Sequence, residues 1–361
     1  MCDLASPTIR KSPWQAAWAY RAAEICQVPL YVAFNTIGGR LWTVMTRGEF
    51  GNYSRFWEIF RRFGLSVAFI PTAPVAVVGA LVAVAFNWVG DRYLGDQPFL
   101  RIEGNYSNAW RKEVFATFNM ATLLPNMTLS DGVSYSPVRL KKIAKIVKDY
   151  QFICGQEVDG ASARFLAREM KDHFAEFYTY MGGSNTPLIQ SGLFFASKER
   201  VLDVKVIPFT APGIQTTIKR VLVIFELEKY CVATTHLDSG NGKNLAQVHK
   251  AEIAQAKQEL AKCTKPYVLC GDLNEDRQKP TEAYVELTET FVDCLADKKS
   301  ITCTDKLEKE RFNQPGPIVK SSIDYIAYPK GQPMTATAVA FATKGLSDHY
   351  WLEGRLHFSD S

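Results

Sequence analysis

The chain has 361 residues, 47% of them hydrophobic and 22% charged, which is a globular composition for one large domain or two smaller ones. The formal net charge is +5, yet residues 109–361 hold 32 basic and 30 acidic residues, so that part is a poor electrostatic match for non-specific nucleic-acid binding. None of the eight cysteines forms a CxxC pair or a Cys/His spacing, which argues against structural zinc.

Residues 1–108 differ in character, with nine Arg, one Lys and seven acids. The uncharged stretch at residues 25–39 is too short to span a bilayer and reads as interfacial or re-entrant. Residues 63–90, "FGLSVAFIPTAPVAVVGALVAVAFNWVG", carry no charge and are long enough to span. Pro71 and Pro74 predict a bend in the first third of that stretch. The Arg-rich segment 40–62 between the two stretches resists transfer across a membrane. These features predict a membrane-associated region with a re-entrant anchor, leaving residues 109–361 on the cytosolic face. The alternatives are a single span over residues 70–90 and a buried apolar hairpin of a soluble protein.

Residues 109–361 read as one α/β domain. Strand-like runs occur at Val114–Asn119, Phe152–Glu157, Leu193–Ser197, Val201–Phe209, Arg220–Leu227, Cys231–Leu237, Tyr267–Gly271, Ile323–Tyr328, Ala336–Phe341 and Tyr350–Phe358. The spacing of Leu140, Ile143 and Val147 predicts a helix, as does the pattern from Lys243 to Lys262. Many strands and few helices predict two packed sheets with helices outside. Cys154, Cys231 and Cys270 lie in apolar runs and read as small core residues, which favours a reducing compartment. The polar stretch 297–320 reads as a long surface loop.

Several of these strands end in polar residues. "FATFNM" ends at Asn119, "FICGQE" at Glu157, "VATTHL" at His236, and "VLCGDLN" at Asp272 and Asn274. Asp324 opens one strand, and Asp348 and His349 stand just before another. One such residue is usually a turn or a helix cap. Six such places in one domain point instead to side chains aimed into one cleft. Glu157 with Asn119 offers hard oxygen ligands suited to Mg²⁺, with Mn²⁺ as an alternative. Two histidines and several carboxylates supply a base and its orienting partner. The set fits hydrolysis of a phosphate ester by an activated water.

In order and spacing, Asn119, "QE" at 156–157, "TTHL" at 234–237, "GDLN" at 271–274, "IDYI" at 323–326 and "SDH" at 347–349 resemble the endonuclease/exonuclease/phosphatase superfamily. Within it, "FATFNMATLLPN", "SGLFFAS" and "GLSDH" are most similar to the membrane-bound neutral sphingomyelinases. That resemblance implies a four-layer α/β/β/α sandwich behind two membrane-dipping segments, and Mg²⁺-dependent cleavage of sphingomyelin to ceramide and phosphocholine at a membrane surface. It implies that Glu157 binds the metal, Asn119 helps to position it, and Asp348 supports the metal or its waters. It implies that His349 is the base, oriented by Asp324, while His236 and Asn274 contact phosphoryl oxygens. Asp272 is either a second base or an orienting acid. A membrane-tethered phosphoinositide phosphatase, a nuclease, or a lapsed hydrolase acting as a scaffold are the rival readings.

Overall fold

The computed structural model describes residues 14–30, 55–94, 97–107, 113–122, 137–182, 191–213, 219–240, 242–296, 300–306, 309 and 316–359. Two mixed sheets form the frame. The first runs β1 (Leu100–Glu103), β4 (Glu176–Thr179), β5 (Phe194–Ser197), β3 (Phe152–Gln156), β2 (Val114–Asn119), β15 (Trp351–Phe358) and β14 (Met334–Phe341). The second runs β10 (Phe291–Asp293), β13 (Asp324–Pro329), β9 (Tyr267–Asp272), β8 (Cys231–His236), β7 (Val221–Glu226) and β6 (Asp203–Pro208). A small ribbon pairs β11 (Cys303–Thr304) with β12 (Lys320–Ser321).

The strand sequences follow from where each strand lies. β3, β5 and β8 are buried at every position, so they open on apolar runs before their polar ends. β14, at an edge, alternates between buried and open positions. Aromatic side chains fill the space between the sheets: Phe195 stacks on Phe225 at 3.8 Å, and Phe115 on Phe152 at 4.5 Å. On the outer face of the first sheet, α3 (Pro137–Val147) and α4 (Gly160–Met170) bury Leu140, Ile143, Val147, Leu166 and Met170. On the outer face of the second, α5 (Leu245–Leu260) and α6 (Glu282–Thr290) bury Ile253, Ala256, Leu260 and Leu287.

Ahead of the sheets stand α1 (Trp14–Leu30) and α2 (Arg55–Leu94), packed together. Within α2, Ser66–Gly90 is long and apolar enough to cross a membrane, and Ile70, Val75, Val78, Leu81 and Val84 lie exposed along it. No turn interrupts this stretch. Pro71 and Pro74 sit inside a continuous helix, and the Thr72 hydroxyl donates to the Ala68 carbonyl beside them at 2.9 Å. The prolines expected to bend this stretch do not break the helix. Of the shorter stretch, residues 25–30 belong to α1, and 31–39 lie outside the described residues. Tyr20 of α1 stacks on Tyr180 at 4.4 Å, and Arg164 of α4 donates to the Tyr20 carbonyl at 3.2 Å, so α1 is docked on the first sheet's layer.

Strands β1, β4, β10, β11 and β12 and helices α4 and α6 lie outside the runs that the sequence singles out. Each of these strands has four residues or fewer, too short for periodicity to register.

Gly271 is the residue that lets β9 run on beside β8. Its φ is +150°, and a Cβ there would meet the Thr235 carbonyl oxygen at 2.0 Å, a backbone atom that cannot step aside. Gly331 also has positive φ, at +79°, but open space around it. Gly271→Ala should therefore cost roughly 3 kcal/mol or more, from strain and overpacking together. Gly331→Ala should cost only about 1–2 kcal/mol. Denaturant midpoints of the two variants check this.

Candidate active site

Each sheet contains one parallel pair, β2 with β3 and β8 with β9, and a parallel pair brings two carboxyl ends side by side. Asn119 registers with Gln156 in the first pair and His236 with Asp272 in the second. β13 then enters antiparallel beside β9, placing its first residue, Asp324, opposite Asp272. The segment before β15 brings in His349. Outside the carboxyl ends of open sheets is where a ligand finds side chains aimed at it.

Asn119 spans both sheets. Its amide nitrogen donates to Glu157 Oε1 at 3.0 Å and to Asp272 Oδ2 at 2.9 Å, while its Oδ1 accepts the Ala121 N–H. His349 Nδ1 lies 2.9 Å from Asp324 Oδ2. An ionised carboxylate only accepts, so Nδ1 carries the proton there and Nε2 is left facing Asp272 Oδ2 at 3.8 Å. His236 Nε2 stands 3.8 Å from the same Asp272 oxygen and 3.9 Å from Glu157 Oε1. Those distances exceed hydrogen bonds, and both ring nitrogens of this buried histidine lack a partner among the described residues. Asn274 donates its N–H to Asp272 Oδ1 at 2.9 Å and its side-chain amide to the Leu237 carbonyl at 3.1 Å. Glu157 and Asn274 both adopt left-handed backbone, φ +53° and +51°, a strain that recurs where side chains are aimed rather than packed.

All eight side chains picked from the sequence thus gather at one end of the sheets. Six of them, together with Cys303, fall into adjoining clusters, in each of which the ligand atoms lie within 4.8 Å of one another: Glu157, His236 and Asp272; Asp272, Asp324 and His349; and Cys303, Asp348 and His349. Asp348 groups with Cys303 and His349. The first cluster, with its unpartnered imidazole between two carboxylates, is a donor set that suits a divalent cation.

Burial sets the charges. It pulls His349 down, but the Asp324 carboxylate, Cys303 and Asp348 more than offset it, and the imidazole sits well above its ordinary range. His236 is pushed well below that range by burial, then by Arg220 and His349. Burial and the neighbouring Asp324 push Asp272 up to about 6, against the pull of His349, Asn119 and the Asn274 N–H. The two histidines therefore carry opposite protonation: one is neutral, the other proton-holding.

Other residues fix this arrangement and stand out less in the sequence. The Thr302 hydroxyl accepts the N–H groups of Ile323 and Asp324, setting the start of β13. The Ser347 hydroxyl donates to the Asn119 carbonyl at 2.8 Å and accepts the His349 N–H. Buried Arg139 donates to the carbonyls of Met120 and Leu346, tying the end of β2 to the segment carrying His349. Only Ser347, inside "SDH", carried a local signal; Thr302 and Arg139 act through contacts distant in sequence.

The endonuclease/exonuclease/phosphatase family profile matches residues 116–349. The chain belongs to that family. Membership makes it a hydrolase of that family, and the profile spans Asn119 through His349. No curated protein matches the chain. Among solved structures, SmcL superposes with a TM-score of 0.56 at 16% identity, over 68% of this chain and 98% of its own. The beta toxin of Staphylococcus aureus gives 0.53 at 16% identity, over 68% and 99%. A variant of that toxin with bound magnesium ions gives 0.50 at 16% identity, over 68% and 99%. At such identities the likeness is one of fold.

Behind His236 lies a second buried network. Glu252 Oε2 accepts the Asp238 N–H at 3.3 Å. His249 reaches the Asp238 carbonyl at 2.6 Å and Glu275 Oε2 at 3.3 Å. Burial pushes Glu252 up to about 7, against the pull of the Asp238 N–H, His249 and Arg220. The folded protein therefore holds a proton that the unfolded chain releases from about pH 4.5, so this group makes stability fall as pH rises toward 7. Glu252→Gln should remove that slope. The variant should gain up to about 3 kcal/mol over the parent at pH 8 and little at pH 5, read from denaturant midpoints.

Proposed function

We propose that the chain is a membrane-associated, Mg²⁺-dependent phosphodiesterase that hydrolyses sphingomyelin to ceramide and phosphocholine. Residues 1–108 form its membrane-associated region, and residues 109–361 form a four-layer α/β/β/α catalytic domain on the cytosolic face. The observation that carries the chemistry is the meeting of Asn119, Glu157 and Asp272 beside an Asp324-oriented His349. The substrate reading rests on the sphingomyelinase-like motifs around Asn119, Ser191 and His349 and on the exposed apolar length of α2. The fold shared with a magnesium-bound beta toxin supports the choice of cation.

In this reading His349 takes a proton from the attacking water at Nε2, because Asp324 engages Nδ1. Asp324 holds the ring and compensates the charge it gains. Glu157, supported through Asp348, would hold a divalent cation, which would supply positive charge beside the phosphoryl oxygens and offset the carboxylates that retain the His349 proton. Asn119 positions the Glu157 carboxylate. Neutral His236 and Asn274 donate to the phosphoryl oxygens. Both oxygens of Asp272 accept hydrogen bonds, from Asn119 and from the Asn274 N–H, which supports reading it as an orienting acid.

Sphingomyelin vesicles, phosphoinositide vesicles and plasmid DNA, each with Mg²⁺ or EDTA, form the test. Phosphocholine release that EDTA abolishes is the expected result. Metal-dependent turnover of another ester with none of sphingomyelin would overturn the substrate. Glu157→Ala and His349→Ala should each lower turnover roughly 10²–10⁴-fold. Parental rates in either variant, with folding intact, would sink the role given to that residue.

A further inference from the structure

One member of the clustered side chains has no part in this chemistry. Cys303 lies in β11, which runs antiparallel against the segment entering β15: Cys303 and His349 form a backbone bridge, Thr304 donates its N–H to the Asp348 carbonyl at 3.0 Å, and Tyr350 donates to the Thr302 carbonyl at 2.7 Å. Residues bridged in this way point their side chains to the same face. The Cys303 sulfur, an Asp348 carboxylate oxygen and a His349 ring nitrogen lie within 4.8 Å of one another. Cys303 and Asp348 are partly open to solvent, while His349 is buried behind them.

A thiol, an imidazole and a carboxylate form a different donor set from the oxygens around Glu157. Magnesium and calcium take oxygen ligands, whereas thiolate with imidazole selects zinc and its heavier congeners. Three protein ligands with a fourth position left for water is a common zinc arrangement. Zinc lies about 2.3 Å from sulfur and 2.0–2.2 Å from nitrogen or oxygen, so only a modest side-chain adjustment would close the three donors around it. The second layer of contacts is already in place. Asp324 holds Nδ1 of His349, which fixes the tautomer and leaves Nε2 as the ligand, the carboxylate–histidine–metal relay seen at zinc sites.

We propose that Cys303, Asp348 and His349 form a second cation site, selective for zinc-like metals, whose occupation inhibits the enzyme. Binding releases the thiol proton to solvent and forms a metal–sulfur bond with no change of oxidation state. The same Nε2 lone pair that would accept the proton of water becomes a ligand, so the two uses of His349 exclude each other. Selective binding stands on the donor set alone; the inhibitory consequence rests on His349 being the base proposed above.

The test uses the purified full-length chain with Cd²⁺, whose thiolate complexes absorb in the ultraviolet, and with Zn²⁺ in a calorimetric titration. The parent should bind one equivalent with a thiolate band in the presence of excess Mg²⁺. Cys303→Ser should lose the band and weaken Zn²⁺ binding roughly 10–100-fold or more. Cys263→Ser, altering a thiol at the far end of α5, should keep both. Absence of the band in the parent, or its persistence in Cys303→Ser, would overturn the site. In the turnover assay with Mg²⁺, Zn²⁺ should inhibit the parent and leave Cys303→Ser active. Binding without inhibition would overturn the inhibitory role while the site stands. Should no phosphate ester be turned over, the proposed function fails, and the Cd²⁺ band still decides the site.

Discussion

The side-chain amide of Asn119 is the contact on which the site depends. Its two donated hydrogen bonds end on carboxylates that belong to different sheets, Glu157 after β3 and Asp272 at the end of β9. Two buried or half-buried acids this close would repel each other and recruit protons. A shared donor between them lowers that cost and fixes their separation. It works only if the sheets keep one offset. Phe195 stacks on Phe225 across the two sheets, and Phe115 on Phe152 stiffens the inner face of the first, which together supply that rigidity. The amide is itself held from behind, because Ala121 donates to its oxygen and Ser347 to its backbone carbonyl.

From that bridge the rest of the geometry follows. Asp272 also takes the Asn274 N–H, so the chain must turn sharply after β9, and Asn274 adopts left-handed backbone to make that bond. Glu157 makes the same kind of turn after β3. Each turn costs of order 1–2 kcal/mol, offset by cores that the strands on either side bury. Placing both strained residues at the carboxyl ends of the central parallel pairs confines the cost to where it aims a side chain. The opposite protonation of the two histidines has a similar origin. Burial, then Arg220 and His349, keep His236 neutral, while Asp324, Cys303 and Asp348 outweigh burial at His349.

Much of this was legible in the sequence because the relevant features are local. Ten of the strands are apolar runs, and a polar residue at the end of such a run is visible without a structure. What the sequence leaves implicit is long-range. Thr302 and Arg139 are ordinary residues until tertiary contacts place their side chains on Asp324 and Met120. Cys303 sits in a polar stretch that reads as a loop, and only the bridge to His349 brings it to the site. Asp348, next to His349 in sequence, also gathers with Cys303. The prolines at 71 and 74 suggested a bend because proline removes a backbone donor. The helix nevertheless runs on through both prolines.

The N-terminal helices bear on the site through packing rather than through a tether. α2 lies on α1, where Gly79 passes so close to the Cys26 carbonyl that a Cβ would sit 2.4 Å from it. α1 in turn is fastened by Tyr20 to Tyr180 and to Arg164. Arg164 belongs to α4, whose N-cap, Asp159, stands two residues after Glu157 and accepts the Ser162 N–H. Rigid contacts thus run from the apolar helix to the residue at the centre of the candidate metal cluster. If α2 lies in or across a lipid layer, as proposed above, these contacts set the orientation of the cleft to that layer. A substrate that stays in the layer would then meet the site in one pose, which a flexible linker could not ensure.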